Sequence, residues 1–365
     1  MSTFARMRRL PLRSPARSPN GPPHRARGTS LVEMMIAVTI GLIILAALAE
    51  LFANNSRTRS EIDKTSKQIE NGRYAVEVLR NEIRMGGFFG GYDDAAAAPQ
   101  PTAVCVPAAG VALSAANLGW RASPAQVPLG VYGYAGGDTP AGESCITRQK
   151  ANTDVLIVRR LESTAQTVAA VVGAAAANDY YMQVSRCSDS TVDSASTPFV
   201  VASGASATPF VLHEKNCITP ATLRKLVVRA FYVATCSDCT GAGDGIPTLR
   251  MVELSGGALV NLPVAEGIDV LRLEYGLDND NNGTVDAIKR CKAGTDACTS
   301  ADWRNAMAVQ VRLLARNVTA SSDYTDGKTY DMGLAGTVSP LNDHYRRHVY
   351  TSQVIVYNHT GPREQ

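Results

Sequence analysis

Arg27-Gly28-Thr29-Ser30-Leu31-Val32-Glu33 opens an apolar run that continues to Phe52, and the reading of this stretch decides the fold. Leu31–Phe52 is close to the roughly 20 residues that a helix needs to cross a bilayer. Its strong charges, Glu33 and Glu50, stand near its two ends. An unpaired carboxylate is costly in hydrocarbon, so an acid at this position points to function. The apolar core also follows Gly28, whereas an ordinary secretory signal places its apolar core before the cleavage site. Cleavage after Gly28 would remove only a basic leader, residues 1–28, with seven Arg and no acid.

That leader distorts the bulk charge. The whole chain of 365 residues carries a formal charge of +3. Without the leader, Lys+Arg falls from 36 to 29 against 33 Asp+Glu, a net charge of about −4. A nucleic-acid-binding surface is not supported at this level. The eight cysteines, Cys105, Cys145, Cys187, Cys217, Cys236, Cys239, Cys291 and Cys298, all follow the apolar segment. An even count on one side of an anchor points to an oxidising compartment. The Arg-rich leader on the other side agrees, because positive flanks stay in the cytoplasm.

Beyond Phe52 the helical pattern continues as an amphipathic stretch. Ile62, Ile69, Val76 and Ile83 recur every seven residues, with Leu79 on the same side, and they predict the stripe that packs on the rest of the chain. Met85-Gly86-Gly87-Phe88-Phe89-Gly90-Gly91 ends the helix, since Gly supplies caps and lowers helix propensity.

The N-terminal stretch resembles the processing and assembly signal of type IV prepilins. The segment Glu70-Asn71-Gly72-Arg73-Tyr74-Ala75 through Leu79-Arg80-Asn81-Glu82-Ile83-Arg84-Met85-Gly86-Gly87-Phe88-Phe89-Gly90 resembles the corresponding block of PilW-type minor pilins. The resemblance covers residues 28–90 and parts of the C-terminal region. It implies that a prepilin peptidase cuts after Gly28 and methylates the amine of Thr29, a position where the family usually has Phe. It also implies that Glu33 guides each subunit into the filament by pairing with a neighbour's N-terminal amine, which would offset the cost of burying both charges.

Residues 1–28 are thus expected as the leader and 29–86 as the N-terminal helix. The helix is transmembrane over about 31–52 and amphipathic over 53–86, and 87–365 forms a β-rich domain outside the cytoplasm. The expected fold is α+β and type IV pilin-like: a long helix packed on an antiparallel sheet with long loops. Asp154–Leu161, Leu223–Thr235, Thr248–Leu254, Val270–Tyr275, Asn305–Arg316 and His348–Tyr357 read as strands. The Ala/Gly/Pro-rich tracts 95–142 and 168–207 read as long surface insertions.

Eight cysteines allow 105 connectivities. Local closure favours Cys105–Cys145, Cys187–Cys217, Cys236–Cys239 and Cys291–Cys298. The CxxC at Cys236–Cys239 has no βαβ setting and no second CxxC, so a structural disulfide is preferred to a redox or zinc site. Asp278-Asn279-Asp280-Asn281-Asn282-Gly283-Thr284-Val285-Asp286 alternates oxygen side chains around a glycine, a pattern suited to Ca²⁺. Asp278, Asp280, Asn282 and Asp286 would offer side chains and Thr284 its carbonyl. The twelfth position is Lys289 where an EF-hand has an acid, and an Asn/Asp-Gly hairpin turn explains the loop equally well. No cofactor other than calcium is expected.

The five His form no HExxH, and GxSxG and P-loop motifs are absent, so no enzyme is expected. His344-Tyr345-Arg346-Arg347-His348 reads as a polar entry to the last strand. The resemblance implies a minor pilin, anchored by one pass in the inner membrane with its N-terminus cytoplasmic and then moved to the pilus. There it would prime assembly and sit at or near the tip, supporting adhesion or twitching motility. Its implied partners are other minor pilins, the major pilin, the prepilin peptidase, the inner-membrane assembly platform and a tip adhesin. The alternatives are a minor pseudopilin of type II secretion and a membrane-anchored periplasmic binding protein.

Overall fold

A computed structural model describes residues 28, 30–92, 102–105, 113–122, 124–172, 178–294 and 296–360. The leader up to Arg27, and Thr29, lie outside them. The chain divides into two compact units, Met1–Arg59 and Ser60–Gln365.

In the first unit the described residues from Leu31 onward are helical, part of a helix that spans Leu31–Met85. Its apolar side chains are exposed, from Leu31 at 77% to Phe52 at 77%. An apolar surface of this extent calls for lipid or other helices around it. Thr39, the hydroxyl within the run, donates to the Met35 carbonyl at 2.7 Å and so needs no water.

In the second unit the same helix lies on two antiparallel sheets that share one core. Strands Val131–Tyr134, Val155–Leu161, Leu223–Ala234, Tyr180–Val184 and Phe199–Ser203 follow one another across the larger sheet. Thr248–Ser255 pairs with Leu223–Ala234, and Ala258–Glu266 pairs with Thr248–Ser255. The smaller sheet runs Ala287–Lys289, Ile268–Leu277, Ala306–Arg316, Arg347–Ile355. Its register sets Tyr275 opposite Val309 and Leu313 opposite Tyr350. Alternating Val, Leu and Tyr side chains from both sheets meet Ala75, Leu79 and Ile83 of the helix in one buried cluster.

The helix seats only the C-terminal part of the predicted stripe, with Leu79 and Ile83 buried and Val76 packed against the core. Ile62 and Ile69 are exposed, and the buried positions are Gln68, Gly72, Ala75, Leu79, Glu82 and Ile83. The cause is what the sheets offer. Gln68 donates to the Ala315 carbonyl at 2.9 Å, and the Glu82 carboxylate meets Arg160 at 3.1 Å and also Arg229. A polar partner on the sheet side draws polar helix residues inward and rotates the face. At Gly72 the ring of Tyr350 lies on the helix backbone, where a Cβ would come within 2.4 Å of it. Only glycine admits that approach.

The tracts expected as surface insertions also contribute to the core. Strands Val131–Tyr134, Tyr180–Val184 and Phe199–Ser203 lie within or beside them, and Trp120, Tyr132, Tyr181 and Phe199 are buried. The structure joins Cys105 to Cys145, Cys187 to Cys217, Cys236 to Cys239 and Cys291 to Cys298, closing loops of 40, 30, 3 and 7 residues.

Candidate assembly segment and its supporting framework

Ser30 precedes the first helical residue, and its Oγ accepts from the Val32 N–H at 3.2 Å. In return the Glu33 carboxylate accepts from the Ser30 N–H at 3.1 Å. The two bonds form a reciprocal cap, the arrangement favoured by Ser followed three positions later by Glu. The acid also lies in the first turn, where the helix dipole favours negative charge. Glu33 is therefore held by its own helix end, and it is exposed, with room to accept a further donor. The signal for this was present as Ser30-x-x-Glu33, a capping box masked by the apolar run that follows. A side chain at position 28 would meet nothing within 4 Å, so packing does not demand glycine there.

Several residues of the Glu70–Gly90 block place the helix on the sheets. Asn71 donates to the Glu266 carbonyl at 3.1 Å. Glu82, with its side chain 10% exposed, bridges Arg160 and Arg229, and Arg229 also pairs with Glu253. At the helix end the Gly87 N–H donates to the Arg159 carbonyl at 3.0 Å. A Cβ at Gly130 would come within 2.3 Å of the Gly87 Cα, so the two backbones touch. Asn358 Nδ2 donates to the Gly86 carbonyl at 3.1 Å and satisfies a terminal acceptor.

The His344–His348 cluster separates by side. Arg347 turns inward and pairs with Asp269 at 2.7 Å, Asp326 at 2.8 Å and Asp343 at 2.6 Å, while Arg346 and His348 stay exposed. Asp269 also pairs with Lys150. Burial alone would raise the Asp269 carboxyl, but Lys150 and Arg347 hold it below the usual carboxylate value. The Arg347 guanidinium is pushed further up by the three carboxylates against the opposing effect of burial.

In the acidic loop, one carboxylate oxygen from each of Asp278, Asp280 and Asp286 lies within 4.8 Å of the others. Asp278 is buried, and its two oxygens accept from the Asn282 N–H at 3.1 Å and the Gly283 N–H at 3.2 Å. Asp286 accepts from the Asn279 N–H at 2.7 Å. The Asn282 side-chain oxygen faces Thr284, accepting from its N–H at 2.8 Å and its hydroxyl at 2.6 Å. Lys289 pairs with Asp302 at 3.1 Å. The loop thus brings three of the expected oxygen donors together and occupies the Asn282 oxygen internally.

Two family signatures match the chain. The Prokaryotic N-terminal methylation motif matches residues 23–49, around the Gly28–Glu33 segment, and Type IV Pilus-assembly protein W matches residues 230–358. The chain is a type IV pilin-like protein. The two matches, at the N-terminal segment and in the C-terminal region, support a type IV pilus minor pilin of the PilW kind. This similarity suggests association with other pilus components and a membrane assembly system, and the methylation motif with its apolar helix fits a membrane-anchored pilin. Among solved structures the chain is similar to a type IV-like pilin from Thermus thermophilus, with 14% identity and a TM-score of 0.27 over 57% of this chain and 79% of that one. No curated protein sequence matches it.

Proposed function

We propose that this minor pilin helps to initiate type IV pilus assembly and takes a place at or near the pilus tip, supporting adhesion or twitching motility, with no catalytic role. The observation that carries the reading is Glu33, an exposed carboxylate fixed at the first turn of an exposed apolar helix. A prepilin peptidase cuts after Gly28, where packing does not require glycine, and methylates the Thr29 amine. The helix then waits in the inner membrane with the rest of the chain in the periplasm. During docking Glu33 pairs with a neighbour's N-terminal amine, and each charge offsets the other's desolvation. The partners are other minor pilins, the major pilin, the assembly platform and a tip adhesin.

Replacing Glu33 with Ala tests this. Surface pili and twitching should be lost while the protein still accumulates in the membrane; normal piliation would overturn the assembly role. Loss of type II secretion with intact pili would instead mark a pseudopilin. A second reading concerns the acidic loop: the convergence of Asp278, Asp280 and Asp286 supports a Ca²⁺ site there, with the Thr284 carbonyl as a further donor.

A further inference from the structure

A cleft of about 310 Å³ opens beside the packed half of the helix, against the start of the last strand. Its lining includes five basic side chains, Arg73, Lys328, Arg346, Arg347 and His348, together with Tyr324 and Tyr350. The nearby carboxylates are already committed. Asp269, Asp326 and Asp343 neutralise Arg347, and Asp326 also accepts from the hydroxyls of Tyr324 and Tyr330. Glu61 is shared among Lys64, Ser321 and Arg346. Among the described residues no carboxylate pairs with Arg73 or Lys328. The cleft is therefore cationic on a chain whose mature form is net acidic.

A second, independent feature is the Tyr350 hydroxyl, which is buried and has no hydrogen-bond partner among the described residues. An unmade buried hydrogen bond costs about 1–3 kcal/mol, so a further partner for this hydroxyl would be favourable. Burial raises this phenol, with Arg73 drawing it part of the way back, so it stays protonated and able to donate. Its ring is fixed by the close approach over Gly72 and by an edge contact with His348 at 4.8 Å. Arg346 lies 4.3 Å over the Tyr324 ring, which holds its guanidinium at the rim.

We propose that this cleft binds the oxyanion, phosphate or carboxylate, of a small molecule, with Arg73 and Lys328 supplying charge and Tyr350 a hydroxyl donor. Guanidinium and ammonium groups with a neutral donor are the usual complement for such a group. The volume lies at the lower end of the range for small-molecule sites.

Titration calorimetry on the full mature chain in detergent micelles tests the site, using inorganic phosphate, glucuronate and glucose as probes at low salt. Saturable binding of phosphate or glucuronate, with none of glucose, is expected, and the tighter of the two identifies the source of the oxyanion. Arg73 and Lys328 are exposed, so the double variant Arg73→Gln/Lys328→Gln should fold normally while its affinity falls about tenfold. Lys215→Gln, at an exposed position outside the cleft, should leave affinity unchanged. No saturable heat from either anion at ~10 mM, or equal affinity in the double variant, would overturn the proposal.

Discussion

Glu82→Ala removes the acid that pins the helix to the larger sheet. In the folded chain the Glu82 side chain is 10% exposed, and its partners Arg160 and Arg229 are 14% and 22% exposed. Breaking a buried ion pair from one side costs about 3–5 kcal/mol, because the remaining charge is left without its partner. Here Arg229 keeps Glu253, and the partial exposure of both arginines lets water reach them, which places the loss nearer about 2–3 kcal/mol. For a folded unit of this size that corresponds to roughly 3–5 °C in Tm. Urea and thermal unfolding of the full chain in micelles, followed by circular dichroism, would measure it. The urea midpoint should fall with an unchanged slope, since the surface exposed on unfolding is the same. Glu82→Met combined with Arg160→Met should recover most of the loss, because an apolar replacement leaves less charge buried. A Tm within about 1 °C of wild type for Glu82→Ala would refute the assignment of this cluster as the helix anchor.

Acid should loosen the end of the chain: Asp269, Asp326 and Asp343 all titrate below the usual value of 3.8. Their stabilising contribution is complete above that value and is lost as pH falls through the lowered folded values. Unfolding followed between pH 5 and 2 should therefore show a steep fall below about pH 4 that Arg347→Met flattens. Calorimetry with Ca²⁺ should give heat that Asp280→Ala abolishes, and a wild-type protein without heat would end that reading of the loop. Gly28→Val should leave unfolding midpoints unchanged within about 0.5 kcal/mol and block removal of the leader, seen as a slower-migrating band.

Most strands of the C-terminal half were legible because they are runs rich in Val, Leu, Ile and Tyr bounded by turn residues, although Ala258–Glu266 was not expected. Arg347–Ile355 and Ala306–Arg316 emerge almost at their expected bounds. The helix was legible too, but its face only from Val76 onward. Apolarity alone selects Ile62 and Ile69, whereas the sheets present a free carbonyl at Ala315 and two guanidinium groups, which select Gln68 and Glu82. No periodicity in the helix encodes groups contributed 78 and 247 residues away. Strands Tyr180–Val184 and Phe199–Ser203 were missed for a related reason. Each has only five residues, set among Ala, Ser and Gly, and each is fixed by pairing with a distant or adjacent strand. At the candidate site, Glu33 was identified from its sequence context, but its bond to Ser30 required the helix start to be seen in three dimensions.

The order of the disulfides has a consequence for how the chain is made. Each cysteine is bonded to the next one along the sequence, never to one beyond it. A polypeptide that crosses the membrane progressively from the end of its anchor delivers these thiols two by two. When the second member of a pair arrives, its correct partner is the one unpaired thiol already outside. Oxidation at the pace of emergence therefore yields the native set without an isomerase having to undo earlier bonds. The last sheet strand can arrive after every crosslink has been made.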